Sequence, residues 1–204
     1  MKKKVFLVMA ALIFSSALYA VDLDFKAGVM HPTSPNKFGL DTAVAFNYDL
    51  NQYFLVGVET GFGWVNWSGM GASDRDIENN PSLYPSNGAN LYYVPALATF
   101  TAQVQLTEVI PYLSAGLGWG WSWYRGYGSH TNDSFNNYQW QILGGIKWKF
   151  KSSVLFITEM GFRSNEGKNS DKEILSMTGW MGRVGVCIPF KSSSASTNGD
   201  ATKK

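Results

Sequence analysis

Residues Phe38 to Leu50, FGLDTAVAFNYDL, alternate between two kinds of side chain for thirteen residues without a break. The mainly apolar set is Phe38, Leu40, Thr42, Val44, Phe46, Tyr48 and Leu50, and the small or polar set is Gly39, Asp41, Ala43, Ala45, Asn47 and Asp49. Because neighbouring side chains of a strand point to opposite faces, this pattern predicts one long β-strand. Soluble strands usually have about 5–6 residues, whereas a tilted membrane strand needs about 9–11. The length favours a strand that crosses a membrane.

The same alternation recurs along the chain and predicts eight strands in all. The other seven lie at Leu23–Val29, Phe54–Trp64, Leu91–Gln105, Pro111–Tyr124, Gln139–Phe150, Phe156–Arg163 and Trp180–Phe190. The fourth strand, Leu91–Gln105, is apolar on both faces, and we place Val94, Ala98, Phe100 and Val104 outward. These strands predict an all-β fold, an eight-stranded antiparallel up-and-down transmembrane β-barrel over residues 21–190, with the apolar set facing lipid. A soluble sandwich or lipocalin-like barrel would bury the same apolar set and is the alternative.

The connections between the strands alternate in length, which favours the membrane barrel. Tight turns are predicted near Asp49–Gln52, Leu106–Glu108 and Lys151–Ser153, and longer loops at 31–37, 66–89, 125–137 and 164–173. The two longest loops, 66–89 and 125–137, are rich in Ser, Asn and Gly. Loops on a rigid scaffold often carry recognition, so a host ligand bound through these loops is one predicted partner.

The two ends of the chain predict export. Lys2, Lys3 and Lys4 precede an apolar run from Val5 to Ile13 and small residues through Ala20, which is typical of a signal peptide over residues 1–20. An uncleaved membrane anchor is the alternative. Residues 191–204 form a polar segment, which we predict to be a disordered periplasmic tail. The predicted location is the cell outer membrane, with its lipid as a partner.

Composition gives no support for several other classes of protein. Of 17 Lys and Arg residues, three lie in the predicted signal peptide, which leaves 14 basic against 15 acidic residues. This near-neutral charge predicts no nucleic-acid partner. The chain shows no ligand spacing for zinc or calcium, and we expect neither a metal nor a cofactor. The only histidines, His31 and His130, are predicted in loops, so we expect no enzyme; a hydrolase using His130 with Ser129, Asp133 and Ser134 is a weaker alternative.

Two segments carry a resemblance to known membrane proteins. YYVPALATFTAQVQLTEVIPYLSAGLGWGWSWY (residues 92–124), followed by YQWQILGGIKWKF (residues 138–150), resembles the small outer-membrane barrels of the OmpW/OprG kind. The chain also resembles OmpA-type and OmpX-type barrels in its general sequence pattern. The OmpW/OprG resemblance implies passive, porin-like transport of small, often hydrophobic molecules, and the OmpA resemblance implies a closed structural or adhesive barrel. The last strand, with Val184, Val186, Ile188 and Phe190 at every second position, resembles the signal that the barrel-assembly machinery reads.

Charged residues on the predicted inward faces are the first candidate site. Glu59 lies seven residues after Gln52, Glu159 six after Ser153, and Arg183 seven before Phe190. We therefore expect all three at one level near the middle of the barrel. Asp41 and Lys147 also face inward and complete the predicted lumen ion cluster. Buried together, such charges must pair. The cluster would then be either a structural plug or a gate that rearranges.

Pro95 is the second candidate site, because a proline inside a strand cannot donate a ladder hydrogen bond. We hypothesise a lateral opening of the barrel wall at Pro95, and the alternative is a bulge without transport. Together these patterns predict passive passage of a small apolar solute across or laterally into the outer membrane. The alternative function is a closed structural barrel whose loops act in adhesion or surface recognition.

Overall fold

The computed structural model describes residues 20–33, 37–67, 89–126, 133–150, 153–168 and 174–191, and these form ten strands. They are β1 (Ala20–Pro32), β2 (Gly39–Asp49), β3 (Phe54–Trp67), β4 (Ala89–Gln103), β5 (Val109–Gly126), β6 (Asp133–Lys149), β7 (Leu155–Ser164), β8 (Glu166–Lys168), β9 (Ile174–Ser176) and β10 (Gly179–Lys191). All except β8 and β9 form one closed antiparallel barrel in the order β1-β10-β7-β6-β5-β4-β3-β2. The predicted eight-stranded all-β barrel is confirmed.

The two faces of the barrel wall carry the two sets of side chains that the alternation predicts. In β2 the polar residues Asp41 and Asn47 are buried, whereas the outward Phe46 is 49% exposed. Other strands also bury charged side chains and expose apolar ones: Leu113 is 59% exposed, while Arg183 is only 2% exposed. A soluble barrel would bury its apolar side chains, so these faces disagree with the sandwich or lipocalin-like alternative.

The two ends of the barrel differ in the length of their connections. We name the end with residues 50–53, 104–108 and 150–154 the turn end, because its connections are short. The first residue of β1 and the last of β10 also lie there, since Ala20 pairs with Lys191. The opposite end is the loop end. This alternation is the one that the sequence predicts.

Several strands extend further toward the loop end than the sequence predicts. β5 continues to Gly126 and β6 begins at Asp133, so much of the predicted loop 125–137 is strand. The prediction that His31 lies in a loop is wrong: it belongs to β1, where it pairs with Trp180. These segments carry few apolar residues, so the periodicity that identifies a strand is weak there, and the neighbouring strand supplies the hydrogen bonds instead.

The predicted loop 164–173 also contains regular structure. β8 and β9 form a two-stranded antiparallel hairpin in which Gly167 pairs with Leu175. After β9, the backbone N–H of Met177 donates to the carbonyl of Asn165 at 2.9 Å, which returns the chain to the barrel mouth. The three-residue strands are too short to show a period in the sequence.

Other predictions fall on residues that are not described. Apart from Ala20 in β1 and Lys191 in β10, the predicted signal peptide (residues 1–20) and polar tail (residues 191–204) lie outside the described residues. So do 68–88 of the predicted loop 66–89, and His130. Among the residues that are described, no helix has the length and apolar character needed to cross a membrane.

Candidate functional site: an ion network across the lumen

Arg183, on β10, is the centre of a buried network of charged side chains. Its Nε lies 2.5 Å from Oε1 of Glu159 on the neighbouring strand β7. Its Nη1 lies 3.1 Å from Oε1 of Glu59 and 3.3 Å from Oδ2 of Asp41, both across the lumen. A guanidinium has five N–H donors in a fixed plane, so one arginine can bind several carboxylates at once. Arg183 therefore connects three strands to its own.

Two further cations complete the network. Lys26, on β1, places its Nζ 2.6 Å from Oε2 of Glu59 and 3.3 Å from Oε1 of Glu159. Arg163, on β7, places its Nη1 2.9 Å from Oδ1 of Asp41. Three cations thus face three carboxylates, and the formal charge of the six side chains is zero. This balance is what burial requires, because an unpaired charge in the interior costs several kcal/mol.

Neutral side chains satisfy the remaining polar atoms of the network. Gln141, on β6, donates from Nε2 to Oε1 of Glu59 at 2.8 Å and accepts from Nη2 of Arg163 at 2.9 Å. The hydroxyl of Tyr112, on β5, donates to Oε2 of Glu159 at 2.5 Å. The ring of Tyr93, on β4, lies under Arg163, with 5.1 Å between the guanidinium carbon and the ring centroid. Each of the eight barrel strands therefore contributes at least one side chain.

A glycine makes room for one of these contacts. Tyr112 pairs with Gly145 on β6, and Gly145 pairs with Glu159 on β7, so the phenol must cross β6 to reach its carboxylate. A Cβ added at Gly145 would collide with the ring of Tyr112. The absent side chain is what lets the ring lie flat against the wall.

A second polar layer lies between the network and the turn end. Lys147, on β6, places its Nζ 3.2 Å from Oδ2 of Asp22 and 3.9 Å from Oδ1 of Asp24. Asn47 donates to the other oxygen of Asp24 at 2.9 Å. Between the two layers lies a cavity of about 20 Å³, lined by residues of both, including Lys26 and Lys147. A cavity of that size holds about one water molecule.

The turn end opens below the second layer. A vestibule of about 310 Å³ is lined by Asp22, Asp49, Gln103, Lys147 and Lys149, among others. The side chain of Asp22 is 13% exposed, against 1–2% for the three network carboxylates. The second layer is therefore closer to solvent than the network.

Above the network, toward the loop end, the lumen holds apolar and uncharged polar side chains. The buried apolar residues there include Met30, Val65, Leu91, Tyr93, Met177 and Met181, and the buried polar residues include Ser122, Gln139 and Asn165. The hydroxyl of Tyr93 donates to Oε1 of Gln139, and Asn137 donates to Asn165 at 3.1 Å. We name Met30, Val65, Leu91, Tyr93, Met177 and Met181 the apolar cap. Below the network, the cavity of about 20 Å³ between the network and the second layer has no room for a solute larger than water.

Four of the five predicted cluster residues meet, and one does not. Asp41, Glu59 and Glu159 all contact Arg183, whereas Lys147 belongs to the second layer. The sequence analysis did not place Lys26, Arg163, Gln141 or Tyr112 in the cluster. All four sit on inward positions of their strands, so the alternation alone marks them as candidates.

Pro95 lies on the inward face of β4 and is buried. It pairs with Gly120 of β5. On the other side, the β3–β4 pairing runs from Thr60–Ala96 directly to Gly63–Tyr93, so two positions of the ladder are skipped without a change of register. The hydroxyl of Thr60 donates to the carbonyl of Pro95 at 2.8 Å across this interruption. The ladder is interrupted here, and a side chain bridges the interruption.

The remaining predicted positions are placed as follows. Val184, Val186, Ile188 and Phe190 occupy the outward face of β10, the strand that closes the barrel against β1. Their recognition by assembly machinery stays a prediction. Among the described residues, no group of three or more His, Cys, Asp or Glu side chains is arranged to hold a metal ion.

The fold of this chain resembles that of a solved structure. No protein-family model matches the chain, and no curated protein is significantly similar to it in sequence. The crystal structure of Neisserial surface protein A (NspA) superposes with a TM-score of 0.58 at 15% identity, over 84% of this chain and 96% of that one. The fold is that of NspA. The N-terminal β-barrel domain of Pseudomonas aeruginosa OprF also matches, with a TM-score of 0.46, 13% identity, and coverage of 83% and 96%. At these identities the likeness concerns the fold alone, and the OmpW/OprG resemblance is not confirmed.

Proposed function

We propose that this protein is an outer-membrane barrel that is closed along its axis and acts through its loop end in surface recognition or adhesion. The observation that carries this proposal is the neutral ion network, which draws side chains from all eight barrel strands. Because these side chains fill the lumen and bind one another, they are expected to act as a structural plug. The apolar cap supports the same conclusion, because its buried apolar side chains disfavour the passage of a hydrated solute.

The outward face supports the membrane location. It carries large apolar residues at high exposure, such as Val58, Leu117 and Met160. Aromatic residues lie near both ends of the strands, with Trp148 and Phe190 toward the turn end and Trp64 and Trp123 toward the loop end. Such a band bordered by aromatic rings suits a bilayer. In this arrangement the turn end is periplasmic and the loop end extracellular.

Planar-bilayer recordings and liposome uptake test whether the lumen is closed. We expect the wild-type protein to give no stable conductance and no uptake of small polar solutes. R183A tests the plug against the gate: a plug predicts lower stability and unchanged conductance, because the remaining side chains still fill the lumen. Stable channel openings in the wild-type protein would contradict the proposal.

The recognition role is tested at the cell surface. A non-adherent bacterium that displays the protein should gain binding to host cells or extracellular matrix. Replacement of residues 70–86 by a short Gly–Ser linker, with replacement of residues 127–132 as the matched comparison, should remove binding in at least one case. Unchanged binding in both, with the barrel folded, would contradict a role for these two loops.

Lateral passage of a small apolar solute is a second candidate, favoured by the interrupted β3–β4 ladder at Pro95. This is the OmpW-like alternative, in which the solute leaves sideways through the wall. P95V restores an N–H donor to β4 and should close such an opening. Uptake of an apolar solute that is the same in P95V and wild type, in liposomes with equal amounts of folded protein, would end this candidate.

A further inference from the structure

The outward face of the barrel is almost free of charge. Among the outward positions of the eight barrel strands that the structure describes, Arg125 is the only one with a permanently charged side chain. It lies near the loop end of β5, on the same face as Trp119, Trp121 and Trp123. All other Lys, Arg, Asp and Glu residues whose side chains are described on these strands face the lumen. Arg125 is therefore a marked exception.

The surroundings of Arg125 form a crevice on the outer wall. Phe62 of β3, Tyr92 of β4, Trp123 of β5 and Arg125 line about 410 Å³ of outward-facing space. Tyr92 pairs with Trp123 in the register, and the rings of Phe62 and Tyr92 lie 6.1 Å apart between centroids. Three aromatic side chains from three adjacent strands thus form an apolar wall below a single cation.

Among the residues that the structure describes, no carboxylate pairs with Arg125. Its register partner on β4 is the neutral Asn90. Arg125 is exposed, whereas the lumen arginines are buried. Arg125 follows Trp123 by two residues. Because a strand rises about 3.3 Å per residue and is tilted, Arg125 lies roughly 5 Å further along the barrel axis than Trp123. That height corresponds to the lipid headgroups if the aromatic rings mark the edge of the hydrocarbon.

We propose that Arg125 and the aromatic crevice bind an anionic lipid of the extracellular leaflet, with its phosphate at the guanidinium and an acyl chain against Phe62, Tyr92 and Trp123. This inference rests on the proposed membrane location. The chemistry is complementary at both ends, because a guanidinium matches phosphate oxygens in two parallel hydrogen bonds and aromatic faces pack against methylene groups. A protein partner would have to compete with lipid at this depth.

The test uses the full-length mature protein in mixed micelles that contain phosphatidylcholine and phosphatidylglycerol in equal amounts. Native mass spectrometry counts the lipid molecules that remain bound. The wild-type protein should retain one phosphatidylglycerol in preference to phosphatidylcholine. R125Q should lower this preference about fivefold, the effect of one basic residue near an anionic headgroup. R125K should retain part of it, because lysine keeps the charge and loses the paired geometry.

K37Q is the matched control, because Lys37 lies at the loop end in the β1–β2 connection, on the opposite side of the barrel. It should leave the preference unchanged. Equal retention by folded R125Q and wild type would overturn the inference, and so would an equal loss in K37Q, which would indicate a general charge effect. If the wild-type protein fails to insert into lipid vesicles at all, the membrane location itself is wrong. Insertion without any lipid preference would overturn only the inference.

Discussion

The ion network and the second polar layer are built from the same kinds of side chain and differ in how completely their charges are paired. In the network, three cations meet three carboxylates at the middle of the barrel. In the second layer, the ammonium group of Lys147 faces both Asp22 and Asp24. The second layer borders the vestibule at the turn end, where water can solvate an excess charge. The difference indicates that access to solvent, more than the number of charges, sets how strictly pairing is required.

R183A should produce the largest effect. It leaves three buried carboxylates with only Lys26 and Arg163 as partners, and breaking a buried ion pair from one side typically costs about 3–5 kcal/mol. The free energy of unfolding, measured by urea titration in detergent or vesicles, should fall by this amount. A loss close to zero would mean that water already enters the network.

A double variant tests whether the loss comes from unbalanced charge. E159Q combined with R183M removes one anion and one cation, so the remaining four charges stay balanced. The double variant should unfold at a higher urea concentration than R183A, with an advantage of about 1–3 kcal/mol. A double variant that is no more stable than R183A would show that shape and hydrogen bonds, rather than charge balance, hold the network.

Y112F should have an intermediate effect. It removes the hydroxyl that donates to Glu159 at 2.5 Å and leaves a buried carboxylate with one fewer partner. The expected loss is about 2 kcal/mol in the free energy of unfolding, because hydrogen bonds to charged groups contribute more than neutral ones. Y53F is a suitable control, since Tyr53 is 50% exposed in a turn. It should change the unfolding free energy little.

K147M should have the smallest effect of the three sites. It removes the cation of the second layer, but Asp24 keeps its hydrogen bond from Asn47 and Asp22 can be solvated from the vestibule. We expect a loss of about 1 kcal/mol, in the range for partly exposed ion pairs. If K147M costs as much as R183A, the distinction between the two layers by access to water is wrong.

The fold was predictable because the alternation of apolar and polar residues along each strand identifies its two faces. The alternation from Phe38 to Leu50 agrees with β2 to within one residue at each end. Counting residues from the turns also placed Glu59, Glu159 and Arg183 at one level, since rise per residue is nearly constant in strands. The limits of β5 and β6 were less predictable, because the last residues of β5 and the first residues of β6 carry no apolar period of their own and are held by neighbouring strands.

The composition of the network was less predictable, because it depends on side-chain length and strand stagger. Arg163 starts ten residues from Ser153, well above Glu159, and its long side chain reaches Asp41 and Gln141. Tyr112 starts near the turn end and reaches Glu159 only because Gly145 leaves space. The reach of Arg163 and Tyr112 does not follow from position along one strand. The low position of Lys147 does follow, because Lys147 lies two residues from the end of β6.

The register between β1 and β10 has a consequence for the order of events during folding. Arg183 lies on the last barrel strand, and Lys26 lies on the first. Arg183 can reach Glu159 as soon as β7 and β10 pair, because the two residues are register partners. Its contacts with Glu59 and Asp41 need β10 to meet β1, so these two carboxylates keep their hydration until then. The β1–β10 pair therefore forms in the same step in which these carboxylates lose water. The free-energy barrier for that step should include most of the cost of desolvating them. Substitutions of Asp41 or Glu59 should then slow the final closure of the barrel and leave the earlier pairing of β7 with β10 unaffected.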